Sequence, residues 1–251
     1  MKRSQIGPQY IHKHHLILKW LAFIFIIIIL ILSFSMYRKY QQTRLDVYPI
    51  RGVSVDQQDG YLDFVSLANT NQKFIYIRAT QGSIYSDDDF NNNYQRCEGS
   101  NMLIGVYHIF SFDSNIHDQE VNFNREVSGN TGSMPIGIKV SNNGGNLNHS
   151  QLSNLLHFIQ DIKQRYHRSV MVWTTQSIYT QITRRHVKCF LWLNGSSLKE
   201  GSKDATLIEL QANESLQLDG QSQNVTQSAF NGNKTQWNRF IDQNVSQSNQ
   251  D

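Results

Sequence analysis

Cysteine is nearly absent from this chain of 251 residues: Cys97 and Cys189 are the only two. At most one disulfide can form, which excludes a small fold stapled by several bridges; two separate, half-buried thiols are expected. Charge is scarce as well, at 17% Asp, Glu, Lys and Arg. Acid is missing altogether from the first 44 residues, which hold seven of the 23 basic side chains. The remaining 16 basic residues face all 20 acidic ones. The bulk of the chain is therefore weakly acidic, and no basic groove for a nucleic acid is expected. No internal repeat is visible, and no metal or cofactor is expected. The histidines around Lys13 read as the polar flank of an apolar run, and Asp87-Asp88-Asp89 as a solvated acidic turn.

What is abundant is concentrated. From Trp20 to Phe34 no residue is charged, and with its flanks this run reaches the roughly 20 residues that a membrane-spanning helix needs. The basic, acid-free N-terminus favours leaving that end in the cytoplasm. The expected organisation is a cytoplasmic tail over 1–15, a transmembrane anchor over 16–37 and a tether over 38–48. A globular domain over 49–240 and a polar tail over 241–251 follow outside the membrane. A cleaved signal peptide is the alternative, because Ser33-Phe34-Ser35 offers small residues at a cut site; the long basic region and long Ile-rich core speak against it.

Beyond Pro49, short β-rich runs recur at Ile50–Val55, Lys73–Ala79, Leu103–Phe110, Pro135–Val140, Ser169–Trp173, Cys189–Leu193 and Thr206–Leu210. Between them, Ser150–Arg165 carries Leu152, Leu155, Leu156, Ile159 and Ile162 at helical spacing, with Asn148 or Ser150 as its cap. Strand–helix alternation over about 200 residues argues for a parallel α/β sheet or barrel. The last third is rich in Asn, Gln and Ser and poor in apolar anchors.

The motifs then become specific. GVSVDQQDGYLDF (Gly52–Phe64), FIYIRATQGSIYSDDDFNNNY (Phe74–Tyr94) and IGVYHIFSF (Ile104–Phe112) follow one another in order. VMVWTT (Val170–Thr175), FLWL (Phe190–Leu193) and LQANESLQLDGQSQNVTQSAFNG (Leu210–Gly232) complete the set. In order and spacing this resembles glycoside hydrolase family 25, the lysozymes that cut peptidoglycan between its two sugars. The likeness covers residues 49–240. It implies a TIM-like, incomplete (β/α) barrel whose sugar groove lies at the C-terminal ends of the strands, the face where barrel enzymes place their chemistry.

The resemblance also shows what is gone. Glycosidases need carboxyl groups on both sides of the scissile bond. At the positions where the family carries them, this chain has Ser54, Lys139, Ser141 and Thr226. A hydroxyl cannot replace a raised-pKa carboxylic acid near neutral pH, and an ammonium opposes the positive charge of the transition state. The expectation is a membrane-anchored, lysozyme-like pseudoenzyme that binds peptidoglycan glycan or an envelope protein. Tyr107, His108, Trp173 and Gln211 are candidate glycan-binding residues, although His108 also fits an interior histidine, and Trp192 is expected in the barrel core. The alternatives are a divergent muramidase using Asp56, which shares a strand face with Ser54, and an interaction domain whose groove has closed. Lys139 is expected to contact Asp56, directly or through water, with Glu209 as a second partner.

Overall fold

The computed structural model describes residues 18–36, 48–141, 145–195, 203–218 and 220–244. They fall into two units, one up to Val47 and one from Tyr48 onward. In the first, helix α1 (Leu18–Met36) is long and apolar enough to cross a membrane, with a mean hydropathy of 2.6. Of the expected span 16–37 the described residues hold 18–36, and the expected tail 1–15 and most of the tether lie outside them.

The second unit is a barrel. Seven strands run parallel: β1 (Arg51–Val55), β2 (Gln72–Gln81), β4 (Leu103–Phe110), β5 (Ile136–Val140), β6 (Val170–Thr174), β7 (Phe190–Leu193) and β8 (Ala205–Leu218). β3 (Tyr85–Ser86) is a two-residue appendage on β2. The four strands expected to be neighbours, β1, β2, β4 and β5, pair in that order. The ring is not incomplete, however. β9 (Gln221–Phe230) lies antiparallel between β8 and β1, and β1 also pairs with β2, so eight strands close on themselves. This corrects the expected strand set, which stopped at Leu210. β8 and β9 alternate buried Leu218 and Val225 with exposed Ser215, Gln217, Ser222 and Asn224, a pattern too polar to advertise a strand.

Helices wrap the parallel strands: α2 (Phe64–Asn69), α3 (Phe90–Glu98), α4 (Ile116–Val127), α5 (His149–Tyr166) and α6 (Gln176–Thr183). α5 matches the periodic stretch in the sequence. Its cap is Asn148, whose side chain accepts from the Gln151 N–H while Gln151 bonds back to the Asn148 N–H, which satisfies two orphan donors at once. Leu152, Leu155, Ile159 and Ile162 are buried against the outside of the barrel. β2 is buried at every position except Lys73 and Gln81, as a strand covered on both faces should be.

The inside of the ring is filled by large rings and sulfur: Phe74, Tyr76, Tyr107, Met171, Trp173, Trp192 and Phe230. Two glycines make room for them. A Cβ on Gly52 would sit 2.4 Å from the Phe74 ring, and one on Gly105 2.4 Å from the Tyr76 ring. α7 (Lys234–Asn244) reaches into the first four residues of the expected polar tail 241–251, the rest of which lies outside the described residues. Its Trp237 and Phe240 pack on Phe74, Phe190 and Phe230, closing the end of the barrel at which the parallel strands begin. Among the described residues no such cluster covers the opposite end.

Candidate functional site

At the C-terminal ends of the parallel strands lies a cleft of about 440 Å³. Ser54, Lys139 and Thr226 line it together with Asp56, Tyr107 and Trp173. Ser54 and Thr226 face each other as Cα partners across β1 and β9, and Lys139 is the Cα partner of Trp173 across β5 and β6. Three of the four positions expected to cluster thus meet at one mouth. Ser141 does not join them: it follows the end of β5, is exposed and is not part of the cleft wall.

Asp56 makes no direct ion pair with Lys139. β1 is bonded to β2, whereas β5 stands beyond β2 and β4 in the ring, so the nearest cation is Arg78 on β2. Its guanidinium lies 3.1 Å from Asp56 and 2.8 Å from Asp87, and it also donates to the Tyr85 hydroxyl at 2.8 Å. Among the described residues these are the only ion pairs. Asp87 is therefore not in a solvated turn: it is buried, and besides Arg78 it accepts from the backbone N–H groups of Gln57 and Asp89. Burial raises its pKa, with those donors opposing. Arg78 was legible as a lone charge inside the apolar run FIYIRAT.

Lys139 finds an aromatic face instead. Its Nζ lies 3.6 Å from the centroid of a Trp173 ring. Burial pulls its pKa down, and the nearby Glu209 and Asp56 carboxylates pull it back up. Trp173 in turn stacks on Trp192, with centroids 4.0 Å apart and planes 9° from parallel, and its Nε1 donates to Glu209 at 2.8 Å. With Lys139 on one side and Trp192 on the other, neither face of Trp173 is free for a sugar ring. Tyr107 is also buried, edge-on to Trp173.

His108 is a correction. Successive residues of a strand point to opposite sides; Tyr107 faces the barrel interior and His108 faces the helices. There it bonds Thr80 at 2.7 Å and Gln119 at 3.2 Å, packed against Phe158 and Phe123. Burial pushes its pKa down to about 4, so it is an interior neutral histidine and lines no part of the cleft. Trp192 is fully buried and donates to Ser228 at 3.0 Å, as expected of a core residue. Gln211 lies on β8, with its side chain outside the described residues.

One acidic cleft residue escaped notice in the sequence, along with Gln58, Gln223 and Asn224. Asp59 ends the short 3-10 turn Gln57–Asp59, where its carboxylate accepts from the Asp56 N–H at 2.8 Å while Asp56 accepts from Gln58. Burial raises its pKa to about 6, helped by the neighbouring Asp56 charge. The capping pattern D-x-x-D in VDQQD was the available signal. Among the described residues no group of three or more His, Cys, Asp or Glu side chains is arranged to hold a metal ion.

A closed α/β barrel with seven parallel strands, plugged at one end and carrying a polar cleft at the C-terminal ends of the strands, has the architecture of the barrel proteins that place their site at that face. The chain belongs to the glycosyl hydrolases family 25, whose model matches residues 53–204. Lysozyme M1 of Streptomyces globisporus is 32% identical over 63 residues, 25% of this chain and 21% of that protein. The autolytic lysozyme of Clostridium acetobutylicum is 23% identical over 172 residues, 68% of this chain and 52% of that protein. The chain thus spans about a fifth and about half of the length of these curated relatives. Among solved structures, a family 25 glycosyl hydrolase from Bacillus anthracis superposes with a TM-score of 0.66 at 26% identity, over 78% of this chain and 94% of that one. The bacterial lysozyme from Streptomyces coelicolor gives 0.61 at 20% identity, over 77% and 97%.

Proposed function

We propose that this protein is a membrane-anchored, wall-facing pseudoenzyme of family 25, which holds peptidoglycan glycan or an envelope protein partner without cutting it. One observation carries the reading: the mouth of the barrel presents Lys139, braced on Trp173, together with Ser54 and Thr226. A glycosidase cleft needs an acid there on one side of the bond and a carboxylate on the other. An ammonium raises the energy of an oxocarbenium-like transition state, and loss of a general acid alone costs about 10²–10⁴-fold in rate. The membrane part of the proposal rests on α1 and on the acid-free basic residues before it, which favour a cytoplasmic N-terminus and a barrel on the outside.

The full chain, purified in detergent, is expected to leave peptidoglycan sacculi turbid while sedimenting with them or with an envelope protein. Protease applied to wall-stripped cells is expected to degrade the barrel, and its survival would reverse the topology.

A second reading, a divergent muramidase using Asp56, has one observation in its favour. Asp56 and Asp59 both line the cleft, and Asp59, with a pKa of about 6, is in the range of a general acid. Both belong to one turn and one wall, however, whereas hydrolysis needs carboxyls on opposite sides of the bond. Clearing of sacculi that is abolished by Asp56→Asn would establish this second reading and overturn the first.

A further inference from the structure

A second depression, of about 390 Å³, starts where the turn bordering the cleft ends; Gly60, Tyr61, Asp89, Asn92, Gln95 and Arg96 surround it. Tyr61 is 74% exposed, the one aromatic side chain of the described barrel left so open. It is nevertheless held in place. The Arg96 guanidinium lies 4.0 Å from its ring centroid and 5.1 Å from that of Phe64, and donates to the Leu62 carbonyl. One face of the tyrosine is thereby covered by a fixed cation and the other faces outward. A contact surface immobilised before binding loses little further freedom when a ligand arrives.

The opposing wall is the N-terminal half of α3. Positions 89, 92 and 96 are three and four apart and share one face of the helix. Asp89 precedes the helix and, unlike a capping residue, makes no side-chain bond to it. Asn92 and Gln95 are exposed, and their carboxamides have no hydrogen-bond partner among the described residues. The two walls are tied to each other: the Gln57 N–H donates to Asp87 at 3.1 Å, and the Asp88 N–H donates to the Gln57 side chain at 2.8 Å. The turn separating cleft from depression is thus fixed against α3, at a set spacing from both.

We propose that this depression is a saccharide-binding subsite, with Tyr61 as a flat apolar plate and Asp89, Asn92 and Gln95 as partners for hydroxyl and acetamido groups. A pyranose ring offers one face of C–H groups and a rim of polar substituents, which matches one plate flanked by unengaged amides and a carboxylate. An apolar helix would strand those polar groups, and a phosphate-bearing chain would meet Asp89 with no unengaged cation to offset it. The subsite goes beyond the role proposed for the cleft and stands whether or not the cleft itself is occupied.

The test is calorimetric titration of the detergent-solubilised full chain with chitotetraose. Binding is expected, weakened about tenfold by Tyr61→Ala, the scale of one lost aromatic contact. Asn92→Ala should weaken it as well, and Tyr61→Phe should restore it. Tyr61 is exposed, so an unchanged melting temperature in each variant separates lost binding from lost folding. Chitotetraose binding that ignores both Tyr61→Ala and Asn92→Ala would overturn the subsite and leave the cleft as the glycan site. No chitotetraose binding by the parent chain would overturn it too, while sedimentation with sacculi judges the cleft separately.

Discussion

Truncating Lys139 to alanine separates its charge from its packing. The ammonium sits 3.6 Å from the Trp173 ring centroid, and a partly desolvated cation–π contact of this kind contributes about 1–2 kcal/mol. Opposing it, burial already disfavours the charged form, as the lowered pKa shows. The stem adds to the favourable side: three methylenes beyond Cβ, at about 0.8 kcal/mol each when fully buried and about half that at a half-buried position, contribute about 1 kcal/mol. Lys139→Ala should therefore destabilise the barrel by about 2 kcal/mol. Lys139→Met keeps the stem and removes both the cation–π gain and the charge penalty, so it should cost less than about 1 kcal/mol. Urea unfolding followed by tryptophan fluorescence reads both, because Trp173 and Trp192 lie beneath the side chain. Neither variant should clear sacculi. A methionine variant as destabilised as the alanine one would mean that the ammonium is held by a carboxylate rather than by Trp173, and the account of the mouth given above would fall.

Other outcomes follow from the same contacts. Arg78→Met leaves Asp87 buried without its cation and should cost about 3–5 kcal/mol in urea unfolding, whereas Asp56→Asn, at the cleft edge with Arg78 still paired to Asp87, should cost under about 1 kcal/mol. Asp59 is raised from 3.8 to about 6 in the fold, so its contribution is fully present below pH 4 and is lost as pH rises through about 6. Asp59→Asn should thus raise the unfolding free energy at pH 7.5 by about 1 kcal/mol after allowing for solvent screening, read as a higher melting temperature, and the gain should vanish at pH 4. His108 has the opposite sign of shift: its pKa falls from 6.5 to about 4, so stability present above pH 6.5 should drain as pH falls toward 4, and His108→Gln should blunt that loss in melts across the range.

Much of the barrel was written in local pattern. β2 reads as an unbroken apolar run because both of its faces are covered, and α5 announces itself through its leucines and its Asn148–Gln151 cap. The second half of β8 and the whole of β9 were missed for a physical reason: Ser215, Gln217, Ser222 and Asn224 are exposed on one side, so polar residues occupy positions that a core strand gives to valine. The mouth was legible in part. Ser54, Lys139 and Thr226 could be grouped because a barrel brings strand ends together, whatever their separation in sequence. Their partners could not be named, because strand order decides them: Asp56 meets Arg78 next door and not Lys139 across the ring. For His108 both a groove and an interior place were open in the sequence, because one step along a strand exchanges the inside of a barrel for its outside.

The closing strand also sets when this protein can finish folding. Arg51 of β1 has Ala229 of β9 as its Cα partner, so the first strand waits for nearly the last residues of the barrel before its second edge is covered. Until then β1 and β8 each present a row of unpaired peptide groups, the kind of edge that recruits strands from other chains. Pairing over such a separation is intrinsically slow. Chains cut short before Phe230 should accumulate as aggregates rather than as smaller barrels, and the hazard window of each newly made molecule lasts until its own C-terminal hairpin arrives.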